Sequence, residues 1–237
     1  MEKLVEELKR AGVLKTPRII KAFRAINRRD FVPHEHKNEA YYDIALPTKE
    51  GQTVSQPYTV AFMLELLQGE SGNKIMDVGS GSGWQTALLA YIVGPKGKVF
   101  GIELIPEIKK MGDENIAKYN FIKKGIVVNL QMSAENGLPQ EAPFDRIISG
   151  ASAQEIPSAW KEQLAVGGRI VMPIRESVWL FVKNGNGTFD EREFPGFAFV
   201  PFVTDTNENH QRCWWFLSWR LSSPKREFGL HKFSLVM

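Results

Sequence analysis

A single cysteine, Cys213, stands in 237 residues, so no internal disulfide framework holds this chain together. Cysteine usage of this kind suits a reducing compartment, and a cytoplasmic location is the expectation. Long hydrophobic runs are also missing. The longest, 87–93 and 197–203, fall far short of the roughly 20 residues that a membrane helix needs. The opening MEKLVEELKRAG carries acidic residues throughout and lacks a continuous apolar core, so a leader is not expected there. Charge of one sign is scarce too: 30 basic residues face 27 acidic ones, a net charge of +3, and the lysines and arginines are spread along the chain. Neither a nucleic-acid-binding stripe nor a membrane-binding patch follows from that distribution. No internal repeat and no low-complexity segment is visible. What remains is an ordinary globular composition, 43% apolar, in a chain long enough for a substantial core.

The chain reads as one domain, 1–237, in three parts: N-terminal helices and a loop at 1–56, an α/β core at 57–203, and a final strand with a basic tail at 204–237. Leu4, Val5 and Leu8 are spaced for a short amphipathic helix. Thr16 and Pro17 supply an N-cap and a proline at the first helical position, and Ile19, Ile20, Phe23 and Ile26 form the apolar face that follows. Arg24, Arg28 and Arg29 read as a solvated face. Residues 31–56 are poorly periodic, and a connection of that length without regular structure usually has work to do, often as an active-site cover. His34 and His36 lack a third ligand at suitable spacing, so no metal site is expected. Ser55 stands just before a helix that runs from Pro57 to about Gly69. Free amide donors and the positive end of the dipole gather there. Ser55 or Gln56 can equally be a plain cap.

From 73 the pattern alternates. Strands are expected at 74–78, 98–103, 125–130, 144–149 and 169–173, with helices at 84–93, 106–120 and 157–164. That order gives an α/β fold, a mostly parallel, doubly wound sheet with right-handed crossovers. After 173, segments 177–182 and 188–194 flank Asn184, Gly185, Asn186 and Gly187, a strong hairpin signal. Further strands are expected at 197–203 and 213–219, for an antiparallel C-terminal finish. Core or interface packing is the expected use of Trp214, Trp215, Phe216 and Trp219.

The informative stretch is KIMDVGSGSGW, 74–84. A buried strand ends in Asp77, then Gly79, Ser80, Gly81 and Gly83 make a turn, and Trp84 opens a helix. Glycines let backbone approach a ligand closely. A dinucleotide fingerprint needs its last glycine inside the first helical turn, and this spacing puts Trp84 there instead. An anionic Asp77 beside the turn suits an amine or a cation better than a pyrophosphate. S-adenosylmethionine, carrying both an amine and a sulfonium, is the favoured ligand; a dinucleotide or neither stays open. Glu103, ending the second strand, is suited to ribose hydroxyls, with Leu104 beside it.

These residues closely resemble the protein-L-isoaspartate (D-aspartate) O-methyltransferase family. The resemblance runs from about 16 to 203 through Gly51–Pro57 (GQTVSQP), Met76–Ala87, Ile102 and Glu103, Gly137–Pro139, Ala142–Ile148, Glu155–Pro157 and Gly167–Val171. It implies a Rossmann-like S-adenosylmethionine-dependent methyltransferase fold, with S-adenosylhomocysteine as product. The implied activity is repair: methyl transfer to the α-carboxylate of L-isoaspartyl residues in damaged proteins and peptides, after which the ester cyclises unaided to a succinimide. Ser55, with Thr53 as helper, is implied at the substrate carboxylate, and Gln52, Val54, Tyr41 and Tyr42 as walls for the peptide. Asp77, the glycine turn and Glu103 are implied at the cofactor. Where the family often carries Gly-Asp-Gly, this chain has Met132, Ser133 and Ala134, so Ser133, Ala134 and Glu135 are expected at the adenine. A monomer is expected. An O-methyltransferase of another carboxylate or hydroxyl, or a non-catalytic binding module on the same fold, are the alternatives.

Overall fold

The computed structural model describes residues 1–202. The strand expected at 213–219, its aromatic cluster and the basic tail lie outside the described residues. Helix α1 (Glu2–Arg10) buries Leu4, Val5 and Leu8, and α2 (Pro17–Ala25) buries Ile19, Ala22 and Phe23, each along one apolar stripe. Thr16 holds the N-cap position of α2, yet its hydroxyl accepts no helix N–H and donates to Glu65 Oε2 at 2.6 Å. The 31–56 connection contains only single 3₁₀ turns and a two-residue antiparallel pair, β1 (Leu46–Pro47) with β2 (Thr53–Val54).

Then come α3 (Pro57–Leu67), β3 (Lys74–Val78), α4 (Trp84–Val93), β4 (Lys98–Glu103), α5 (Pro106–Ala117), β5 (Val127–Gln131), β6 (Phe144–Ser149), α6 (Ser158–Gln163) and β7 (Leu164–Ile174). The hairpin β8 (Ser177–Lys183) and β9 (Phe189–Pro195) completes a seven-stranded sheet of order β5-β4-β3-β6-β7-β8-β9. The first five strands are parallel and the last two antiparallel. Strand order reverses between β3 and β6. In such sheets a crevice for ligands opens there, beyond the carboxyl ends.

Side chains alternate across the sheet and make two cores. Ile75, Val99, Val127, Ile148 and Val171 pack under α1–α4, whereas Met76, Val78, Phe100, Ile102, Ile147 and Ile170 pack with Trp160 of α6. Helices therefore cover both faces, as the alternation of elements requires. At the far end of α3, Arg169 donates to Leu66 O, Arg146 to Gln68 O and Arg18 to Gly69 O. Arg146 lies near the amino end of β6. Helix α3 thus runs opposite to the parallel strands, and over its 11 residues, about 16 Å, it brings its own start to their carboxyl ends.

Two expected elements differ. Strand β7 begins earlier, at Leu164, and takes Gly167 and Gly168 into the sheet. In the expected 197–203 strand, the described part forms only one bridge, Pro201 to Ser152. Pro195 and Pro201 bracket the segment, Gly196 turns it at φ 96°, and Phe197 stacks on Phe62 at 5.0 Å instead of pairing as a strand.

Candidate active site

The glycine turn hangs from β4. Gly79 and Ser80 N–H donate to Ile102 O at 2.9 and 3.1 Å, and Gly81 N–H donates to Glu103 Oε2 at 3.0 Å. All three glycines have positive φ, but they serve different ends. A Cβ on Gly83 would lie 2.7 Å from Ile116 Cγ1, so this glycine is required by packing against α5. A Cβ on Gly79 or Gly81 would meet nothing nearer than 3.7 Å, which leaves their Cα faces open to a ligand. Gly112 lets α5 come close from behind: a Cβ there would sit 2.7 Å from Gly81 O.

Three residues expected at the cofactor are engaged by contacts within the protein. Asp77 is fully buried and shares a sheet face with Ile75, under α4. It accepts from Thr86 Oγ1 at 2.6 Å and Gln85 Nε2 at 2.7 Å, and so anchors the first turn of α4. Ser80 donates its hydroxyl to Asn129 Oδ1, and Asn129 Nδ2 in turn donates to Asp113 of α5 at 2.8 Å. The Trp84 ring is 2% exposed and packs on Phe23, towards the N-terminal helices. Asn129, Asp113 and Asn115, whose Nδ2 donates to Ser82 O, support the turn and were not anticipated. A polar residue inside the apolar strand β5 was the available signal for Asn129.

Glu103 ends β4 beside the glycine turn. Its Oε2 takes the Gly81 N–H and its Oε1 the Ile105 N–H, both at 3.0 Å. Each carboxylate oxygen keeps spare acceptor capacity for a hydroxyl. Burial pushes the Glu103 pKa up against those two backbone bonds. Burial also raises Asp77, to about 6, with the nearby Glu103 charge adding to it. No lysine or arginine forms an ion pair with either carboxylate among the described residues. Two buried acids without a cation, beside an open glycine turn, fit a ligand carrying positive charge. At the end of β5, Ser133 and Glu135 keep accessible side chains, but Ala134 is packed inward and its carbonyl accepts from Trp160 Nε1 at 2.7 Å.

On the other wall stands Ser55. It is half-buried, and its hydroxyl has no hydrogen-bond partner among the described residues. Gln56, not Ser55, occupies the N-cap position of α3, and neither side chain caps the helix. Asp43 does so instead: its Oδ1 accepts the Tyr58 N–H at 2.7 Å and its Oδ2 the Gln56 amide at 3.1 Å. Thr53 is also half-buried, without a side-chain hydrogen bond among the described residues. Val54, expected to face the peptide, is 2% exposed and belongs to the core. Tyr41 donates to Asn27 Oδ1 at 3.0 Å and packs against the N-terminal helices, whereas Tyr42 is 61% exposed. Gln52 lies half-buried in the same loop, its amide on Glu50 O at 3.4 Å.

Arg28, read from sequence as part of a wet face, is completely buried. Its guanidinium donates to Ser55 O at 3.1 Å and lies 5.2 Å from the centroid of the Trp84 ring. Ser55 is therefore on the same side of the sheet as the residue that follows Gly83. Beside it, a groove of about 700 Å³ is lined by Gln56, Tyr58, Phe62, Phe194 and Phe197. Among the described residues no three His, Cys, Asp or Glu side chains gather as metal ligands, and His36 Nδ1 pairs with Glu39 at 2.8 Å.

The inward Asp77 has a pH signature. Its pKa in the fold, about 6, lies above the ordinary 3.8, so the folded state holds the proton more tightly than the unfolded chain. Stability then falls as pH rises from about 3.8 to about 6 and is flat beyond, a loss of at most about 3 kcal/mol. Asp77→Asn stays uncharged throughout. Urea melts of the ligand-free proteins at pH 4 and pH 7 should show the variant gaining on the wild type by about 1–3 kcal/mol across that window.

A family model for protein-L-isoaspartate(D-aspartate) O-methyltransferase matches residues 1–207. The chain is 38% identical over 206 residues to the protein-L-isoaspartate O-methyltransferase of Methanopyrus kandleri, covering 85% of this chain and 90% of that one. It is 38% identical over 219 residues to that of Aeropyrum pernix, covering 90% and 84%. A solved protein-L-isoaspartate O-methyltransferase superposes with a TM-score of 0.77 at 27% identity, over 86% of this chain and 66% of that one. One from Plasmodium falciparum, in complex with S-adenosyl-L-homocysteine, shares the fold with a TM-score of 0.78 at 24% identity, over 86% and 98%.

Proposed function

Since the chain belongs to the protein-L-isoaspartate (D-aspartate) O-methyltransferase family, we infer that Ser55 and Glu103 are the two residues through which it carries out that family's reaction. The activity is repair: a methyl group passes from S-adenosylmethionine to the α-carboxylate of an L-isoaspartyl residue in a damaged protein or peptide. When bound, S-adenosylmethionine supplies an electrophilic methyl group on a sulfonium. The substrate carboxylate is a competent nucleophile, so no strong general base is required. The protein's share is alignment and exclusion of water.

Each residue has a distinct task. Glu103 accepts hydrogen bonds from the ribose hydroxyls through the lone pairs that Gly81 and Ile105 leave unused. Gly79 and Gly81 admit the methionine part against bare backbone. Ser133 and Glu135 line the adenine end. Across the crevice, the Ser55 hydroxyl donates to the substrate carboxylate, and Thr53 assists. Asp43 takes the Tyr58 amide, which leaves the hydroxyl as the principal donor at the start of α3. Tyr42 and the groove beside Gln56 accommodate the polypeptide on either side.

The observation that carries this reading is the uncommitted Ser55 hydroxyl at the same end of the sheet as an open glycine turn and two unneutralised acids. The test is methyl transfer from labelled S-adenosylmethionine to a peptide pair differing only in isoaspartyl against aspartyl linkage. Base-labile ester should form on the isoaspartyl peptide alone. Equal labelling of both peptides would point instead to an O-methyltransferase of broader carboxylate specificity, and no binding of the cofactor to a binding module.

A further inference from the structure

We propose that Arg28 is a positioning residue for methyl transfer, fixing the Ser55 backbone against the face of Trp84 and thereby setting the hydroxyl's place relative to the glycine turn. The proposal rests on the role given to Ser55 above. Arg28 has no exposed surface, and among the described residues no carboxylate forms an ion pair with it. Its Nη1 donates to Ala40 O at 3.0 Å and Tyr42 O at 3.2 Å. Its Nη2 donates to Ile44 O at 2.8 Å, Val54 O at 3.3 Å and Ser55 O at 3.1 Å. The guanidinium carbon sits 5.2 Å from the Trp84 ring centroid, within cation–π range.

A buried cation is costly unless its donors are met; here backbone carbonyls meet both terminal nitrogens in place of a salt bridge, while Nε has no partner among the described residues. Burial pulls the Arg28 pKa down to about 10, with the Asp43 charge opposing, so the group remains charged at neutral pH. The segments it joins, 40–44 and 54–55, have almost no regular hydrogen bonding of their own: β1 and β2 pair over only two residues each. An apolar side chain could fill the volume but could not fix five carbonyls in space. The planar fork does so, and it stacks on the residue adjoining Gly83. Both ends of the arrangement belong to the site. One end is Ser55 with the Tyr42–Ile44 rim, and the other is the start of α4.

Arg28→Lys keeps the charge but has three donors and no stacking plane. Its effect should appear in turnover of an isoaspartyl peptide, lowered about 10-fold or more, with S-adenosylhomocysteine affinity within about threefold of wild type. The decisive measurement is a double-mutant cycle with Ser55→Ala. In the Ser55→Ala background the lysine change should cost less than about twofold in kcat, because there is no hydroxyl left to misplace. The same fold-loss in both backgrounds would overturn the proposal, as would parallel losses of turnover, cofactor affinity and melting temperature. If Ser55→Ala alone leaves kcat unchanged, it is the reading of Ser55 that fails. Should Arg28→Lys not fold, Trp84→Phe, which shrinks the stacking face and leaves the carbonyl bonds, carries the same cycle with the same outcomes.

Discussion

Replacing Ser55 by alanine should lower kcat for an isoaspartyl peptide about 100-fold while leaving the affinity for S-adenosylhomocysteine within about twofold. The hydroxyl has no competing partner among the described residues, and its backbone is held through the Ser55 carbonyl. A hydrogen bond to a charged acceptor is worth about 1.5–3 kcal/mol, and one that fixes the direction of attack acts mostly on turnover. The loss should not be total, since the carboxylate is already nucleophilic and Thr53 stands nearby in β2. The shape of the pH–rate profile should also survive, because the serine orients and does not take a proton. Steady-state kinetics beside calorimetric binding separates the two quantities. A change in cofactor affinity as large as the change in kcat would assign Ser55 to the cofactor wall.

Glu103→Ala should weaken S-adenosylmethionine binding by about 10²-fold or more, with kcat at saturating cofactor much less affected. The two charge-assisted bonds proposed to the ribose hydroxyls would be lost together. The Gly81 and Ile105 amides, now tied to the carboxylate at 3.0 Å, also lose their acceptor, so the turn itself loosens. Glu103→Gln should fall between, since the amide keeps one acceptor oxygen and replaces the other with a donor. Removing the charge also withdraws one of the two buried acids that favour a cationic ligand. Calorimetric titration of the three proteins gives the order directly. Equal affinities would show that the ribose is held elsewhere.

The α/β core was legible because its signals are local. Apolar runs, Pro106 at a helix start, and the Asn184–Gly187 turn fix elements whose ends in the structure lie within a few residues of expectation. The site was legible only in part, for reasons of distance and direction. Asp43 caps α3 from 15 residues ahead of Tyr58, a spacing that no helix motif encodes. Arg28 sits in a run of polar residues, and only the return of 40–55 over it turns one of the arginines inward. Asp77 stands near the end of β3 as expected, but its carboxylate is taken up by Gln85 and Thr86 of α4. Both donors come from the helix that follows its own turn, a pairing that strand periodicity does not encode. Val54, in the two-residue β2, turns into the core instead of the loop surface. The aromatic run near 197 has strand composition, but its side chains found Phe62 and its backbone kept only a bridge.

The most direct measurement is a crystal structure of the protein with S-adenosylhomocysteine and an isoaspartyl peptide bound together. The expected result places one oxygen of the isoaspartyl α-carboxylate about 2.5–3.0 Å from Ser55 Oγ, with the ribose hydroxyls on Glu103 and the sulfur facing the other carboxylate oxygen across the bare Gly79–Gly81 backbone. A peptide carboxylate bound away from Ser55, or a cofactor seated away from Glu103, would contradict it.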